Sequence, residues 1–168
     1  MTQPDGQQPR VLGAVLLNPP LTAGTATMRH LRVAAEILGC SDVQVGNLFA
    51  VPTTSVTEIN DAGRDAAGWE AARWNLNQVL TSSAELVLGW GVSGLHGLAL
   101  AHRHAQIAWL VDRLGALKIS GVWTLNGEAR HPSRWHQYVS DRHRRAVGGT
   151  FPQRLASVLH RVDLNSPL

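Results

Sequence analysis

"VLGAVLLNPP", residues 11–20, sets the architecture. From Val11 to Leu17 the chain is apolar or glycine without a polar break, as in a strand covered on both faces. Asn18-Pro19-Pro20 then ends it, because neither a ladder nor a helix runs through a double proline. Strands of this kind belong to parallel sheets with helices above and below.

The same alternation continues downstream. In "MRHLRVAAEIL" (28–38), Met28, Leu31, Ala35 and Leu38 recur at helical spacing, with Thr27 as candidate cap and Gly39 as stop. "VQVGNLFAV" (43–51) reads as a second strand, and residues 52–68 as a loop with one helical turn at "VTEIND". "WEAARWNLNQVL" (69–80) carries Trp69, Ala72 and Leu76 on one helical stripe, and "ELVLGWG" (85–91) is a third strand ending in a Gly-Trp-Gly turn. A long helix follows (95–115), then a fourth strand, "LKISGVWTL" (117–125), an exposed loop (126–136) and a C-terminal helix around "FPQRLASVLHRV" (151–162). The expected fold is α/β: a three-layer αβα sandwich around a four-stranded, mainly parallel sheet. Residues 1–10 are expected to form a disordered lead and residues 11–168 a single domain.

Composition narrows the function classes. No apolar run approaches the ~20 residues of a membrane helix, and a lone cysteine, Cys40, excludes a disulfide framework or a cysteine-ligated cluster within the chain. The polar start lacks an apolar signal segment, so a cytoplasmic location is expected, with a monomer as the expected state. Positive charge gathers late in the chain, where Arg130, Arg134, Arg142, Arg144, Arg145, Arg154 and Arg161 face only Asp141 and Asp163, with His131, His136 and His143 among them. Guanidinium forks suit phosphate; the alternative is a solvated face.

In a parallel α/β sheet ligands bind outside the carboxyl ends of the strands. Those ends supply Asn18-Pro19-Pro20, Asn47 and Phe49, Trp90, and the loop with His131 and Ser133. The phosphate-binding glycine motifs, "GxSxG" and "HExxH" are all absent, so neither metal nor cofactor is expected. Amides and aromatic faces without a carboxylate pair suit a flat, uncharged heteroaromatic ring.

"LLNPP", "TATMRHL", "GNLFAVPTT", "LVLGWG" and "RHPS" together resemble the DUF1643 family of bacterial proteins. In order and placement they also resemble the uracil-DNA glycosylase superfamily, over roughly residues 11–138. That second resemblance implies a hydrolase that excises uracil or a modified base from DNA. Asn18 would position the attacking water, Asn47 would pair with the edge of an extruded base, and His131 would donate to the leaving base. Phe49 or Trp90 would stack on the ring, Pro19 and Pro20 would be among the substrate-binding residues, and the backbone near Ser133 would grip a phosphate. Pro20 stands where a uracil-specific enzyme excludes thymine's methyl, and Asn18 stands where an Asp is common, which implies an amide that orients water without acting as a base. The DUF1643 pattern has acidic residues before Thr-x-Arg and "TAGTATMRH" (22–30) has none, so Arg29 is expected to meet a ligand phosphate. Trp135 would be a wedge into DNA flanked by Arg134 and His136, with Arg130 also expected to contact the DNA.

Each residue also has a plainer reading. Asn18 can be a turn former, Asn47 a cap on nearby backbone, His131 a loop histidine, Trp90 tight packing and Trp135 ordinary core. Two further function classes stay open: a non-catalytic nucleotide or nucleic-acid binding module, and an N-glycosidase or transferase on free nucleosides or nucleotides.

Overall fold

The computed structural model describes residues 8–20, 24–91, 94–139 and 148–165. Most of the expected lead (1–7) and the cluster Arg142, His143, Arg144 and Arg145 lie outside the described residues.

The strands are β1 (Val11–Leu16), β2 (Asp42–Asn47), β3 (Glu85–Leu88), β4 (Gly121–Leu125) and β5 (Leu159–Asp163). The helices are α1 (Thr25–Ile37), α2 (Val56–Ala62), α3 (Ala67–Ser82), α4 (Gly97–Ala116), α5 (Trp135–Val139) and α6 (Phe151–Val158), with a 3-10 turn at Pro132–Arg134 before α5. The sheet runs β2-β1-β3-β4-β5, parallel throughout except for the β4–β5 pair. β1 lies inside it, and alternation sends its side chains both ways. Leu12, Ala14 and Leu16 pack with Leu31 and Ala34 of α1 and Leu155 of α6, whereas Val15 packs with Leu76 and Val79 of α3 and Leu110 of α4. Both faces are therefore covered, as the apolar run implied.

The sheet has five strands rather than the expected four. The stretch read as a continuous C-terminal helix leaves helical geometry at Leu159, and Leu159–Asp163 then pairs antiparallel along the free edge of β4. An added strand satisfies backbone groups that an edge would leave unpaired. β4 itself starts four residues later than expected. Leu117, Lys118 and Ile119 donate their N–H groups to Arg113, Gly115 and Leu114 at the end of α4, and Lys118 sits in left-handed geometry (φ 55°). Those residues close a helix instead of opening a strand. At the other end, α1 begins at Thr25 behind a left-handed Gly24, without a side-chain cap from Thr27.

Among the described residues no helix is long and apolar enough to cross a membrane, and no group of three or more His, Cys, Asp or Glu side chains could hold a metal ion.

Candidate functional site

A cavity of about 420 Å³ opens at the carboxyl ends of β1, β3 and β4. Its wall is built from Leu17 and Asn18 after β1, Thr53–Val56 and Ile59 around the start of α2, Trp90 and Gly91 after β3, and Arg130, His131, Ser133, Arg134 and Tyr138 after β4. Among the described residues no carboxylate lines it, and two guanidinium groups do.

Asn18 is held hard. Its Nδ2 donates to Thr53 Oγ1 (2.8 Å), to the Thr53 carbonyl (3.3 Å) and to the Pro19 carbonyl (3.2 Å). Two of those acceptors are carbonyl oxygens, so flipping the amide would set Oδ1 against oxygen; the orientation follows from chemistry. Among the described residues no donor reaches Oδ1, which remains as an acceptor on a cavity residue.

His131 is fixed just as firmly. The backbone N–H of Ser133 donates to its Nδ1 (3.2 Å), with Ser133 Oγ 2.8 Å from the same nitrogen. An N–H can only donate, so Nδ1 carries the lone pair and the neutral ring carries its proton on Nε2. Burial, and secondarily the charge of Arg134, hold its pKa below the usual histidine value. The ring is a neutral Nε2–H donor. Behind it, His30 of α1 packs against the same turn with Nδ1 2.5 Å from the Pro132 carbonyl.

The Trp90 turn meets this loop closely. Gly91 donates to the Ala129 carbonyl (2.6 Å) with φ at +76°, and a Cβ there would lie 3.1 Å from His131 Cβ. Glycine is required both for the backbone angle and for the approach. Arg130 forms an ion pair with Glu128 and lies over the Tyr138 ring, 4.9 Å from its centroid, while Arg134 is exposed at the rim.

Three sequence assignments need correction. Phe49 is fully buried, 4.8 Å from the ring of Trp69, and is no part of the cavity wall. The cause is the backbone: Leu48 and Phe49 donate to Leu16 and Leu17, and buried Gln106 donates to the Leu48 and Trp69 carbonyls, which draws this stretch beneath α3 and α4. Asn47 also lies away from the wall; it alternates with Gly46, which faces Leu76 of α3, and its Oδ1 is buried without a partner among the described residues. Trp135 is no wedge: it is fully buried and donates Nε1–H to the Arg130 carbonyl at 2.8 Å. In addition, Pro19 and Pro20 flank the cavity without lining it, and Arg29 lies in a different cavity. Sequence reasoning missed Thr53, Thr54, Ser55 and Tyr138. The closing "TT" of "GNLFAVPTT", Thr53 and Thr54, supplies the wall instead of its Asn and Phe.

A family model described as a protein of unknown function, DUF1643, matches residues 2–133. The chain belongs to that family. No curated protein and no solved structure matches it. The DUF1643 match ends at Ser133, so it takes in Asn18, Thr53, Trp90 and His131 and leaves Arg134, Tyr138, α5, α6 and β5 beyond its limit.

Proposed function

We propose that the chain hydrolyses the N-glycosidic bond of a nucleotide unit. One observation carries the reading: a cavity with no carboxylate among its described residues sets an oriented amide acceptor, Asn18 Oδ1, in the same wall as a neutral imidazole donor, His131 Nε2–H. As the bond between the anomeric carbon and the base nitrogen breaks, negative charge grows on the base, and a preorganised neutral donor stabilises it. Water accepted at Asn18 adds its oxygen to the anomeric carbon. Its proton passes to solvent, and the departing base takes one from solvent. An amide cannot serve as a base, so the chemistry relies on bond breaking running ahead of attack. Ser133, Arg130 and Arg134 suit a phosphate at the rim.

The resemblance to uracil-DNA glycosylases suggests a base in DNA. Burial of Trp135 removes the expected wedge, burial of Phe49 leaves Trp90 as the ring contact, and the position of Asn47 away from the wall removes the expected edge contact. These positions favour a base that is already unpaired, in a single strand or a free nucleotide, over one pulled from a duplex.

Oligonucleotides carrying uracil and a panel of altered bases, and the matching free nucleotides, should be incubated with the protein, and base release followed by alkaline cleavage and chromatography. Release by the wild type, lowered about 10²–10³-fold in His131→Ala, supports the reading. Release that persists at wild-type rate in both Asn18→Ala and His131→Ala, or no release from any substrate, defeats it.

A further inference from the structure

A second cavity, of about 480 Å³, lies between α1, the Pro132–Arg134 turn, α5 and α6. Ser133 lines both cavities. Its remaining wall divides by chemistry. Ala26, Val33 and Phe151 are apolar, and the Phe151 ring stacks on His30 at 4.9 Å. Arg29 and His136 are exposed at its margin, and among the described residues no carboxylate lines it.

The neighbouring groups report the local field. His30 is held below the usual histidine pKa first by burial, against the raising effect of its Pro132 hydrogen bond, and then by the charges of His136 and Arg29. Arg29 forms no ion pair among the described residues. An apolar floor with an aromatic ring, under a cationic margin, fits a flat ring that carries a phosphate.

Resting on the reading of the first cavity as a nucleotide site, we propose that the second cavity holds the adjoining nucleotide of the same strand, so that the ligand is a single-stranded nucleic acid of at least two units running past Ser133. Arg29 and His136 take the phosphate of the second unit, and its base lies against Phe151. A separate phosphorylated molecule would present the same chemistry, and the test distinguishes the two sources.

Binding of deoxyuridine monophosphate, thymidine monophosphate and deoxyuridine–thymidine dinucleotides of both polarities is measured by titration calorimetry on the full chain. The expected result is that one dinucleotide binds about tenfold more tightly than either mononucleotide, the gain of one stacked base. That ratio should fall to near one in Arg29→Ala, and equally in Ala26→Trp, which fills the cavity while keeping the margin charges. Circular dichroism melts of both variants check that they are folded. A dinucleotide no tighter than a mononucleotide, or two mononucleotides binding independently without a linked gain, overturns the strand proposal. So does a ratio insensitive to both substitutions. These readouts are binding constants, so absence of base release would defeat the proposed hydrolysis while leaving this result standing.

Discussion

Ser133 donates its backbone N–H to Nδ1 of His131, two residues earlier, across 3.2 Å. That contact decides where the imidazole keeps its proton, and it comes from the Pro132–Arg134 turn, for which the His131 ring acts as the cap. A second proton would have to enter at Nδ1, setting N–H against N–H in a partly buried site next to Arg134.

The rate of base release should therefore have an acid limb set by His131. Its pKa is lowered from 6.5, so the neutral donor persists below that pH, and activity should fall only as the medium becomes more acidic still. A pH–rate profile of kcat/KM checks this. A limb at or above the ordinary histidine value would contradict a buried, Ser133-locked ring.

Stability should follow the same direction. His30 and His131 both have folded-state pKa values below the 6.5 of an unfolded histidine, so the unfolded chain binds protons that the native one refuses. Their contribution is complete above pH 6.5 and is lost as pH falls towards their folded values. Glu58 is held below the usual carboxylate value first by the Thr54 backbone N–H and then by its hydroxyl; its contribution is present above pH 4.5 and lost further down. Melting temperatures from about pH 8 to about pH 5 should thus decline in the histidine window, and His30→Gln should flatten that decline.

Trp135 gives a sharp contrast between two roles. As a core residue with no exposed surface, Trp135→Ala should lower unfolding free energy by about 3–5 kcal/mol. Trp135→Phe, losing mainly the bond to the Arg130 carbonyl and some volume, should cost about 1 kcal/mol. Urea denaturation measures both. A Trp135→Ala protein of undiminished stability that had lost affinity for nucleic acid would restore the wedge.

Close packing under the second strand makes a further test. A Cβ on Gly68 would come 2.3 Å from Phe49 Cε2, and Phe49 is enclosed by Trp69 and the Leu48–Gln106 hydrogen bond. Gly68→Ala should destabilise by about 1–3 kcal/mol, as overpacking does, despite better helix propensity. If Phe49 instead stood free in a ligand site, the same change would be neutral or stabilising in a denaturant melt.

Strands and helices were legible wherever period and stop signals agreed. The run before Asn18-Pro19-Pro20 is such a place, and the Trp69, Ala72 and Leu76 stripe is buried as its spacing requires. β5 was illegible because, after Leu159, all of its residues are exposed: with no buried alternation, "LHRVD" carries no strand period and reads as a continuation of α6. Asn18 and His131 could be found because their neighbouring prolines mark strand-end turns. Asn47 and Phe49 misled because parallel hydrogen bonding continues past the end of β2: Leu48 and Phe49 still donate to Leu16 and Leu17, and the chain reaches the cavity only at Thr53. What local sequence could not display is the buried Gln106, which sits in α4 and fixes that path from a distance of 58 residues.

Thr53 is the residue through which the amide of Asn18 can be tested without touching it. Its hydroxyl oxygen accepts from Asn18 Nδ2 at 2.8 Å, the shortest of the three contacts that aim the amide. Thr53→Val keeps the shape and removes that acceptor, leaving two longer bonds to carbonyls; the lost bond is worth about 1 kcal/mol. The fold should survive, because Thr53 lies at the cavity and the remaining contacts are backbone. The amide should nevertheless sample more orientations, and a water held by Oδ1 loses its line of approach, so kcat should fall about tenfold with KM little changed. Thr53→Ser, which restores the oxygen without the methyl, should recover most of the rate. A Thr53→Val enzyme with unaltered kcat would mean that the orientation of Asn18 is irrelevant to the chemistry, and the water-positioning role would then have to be abandoned.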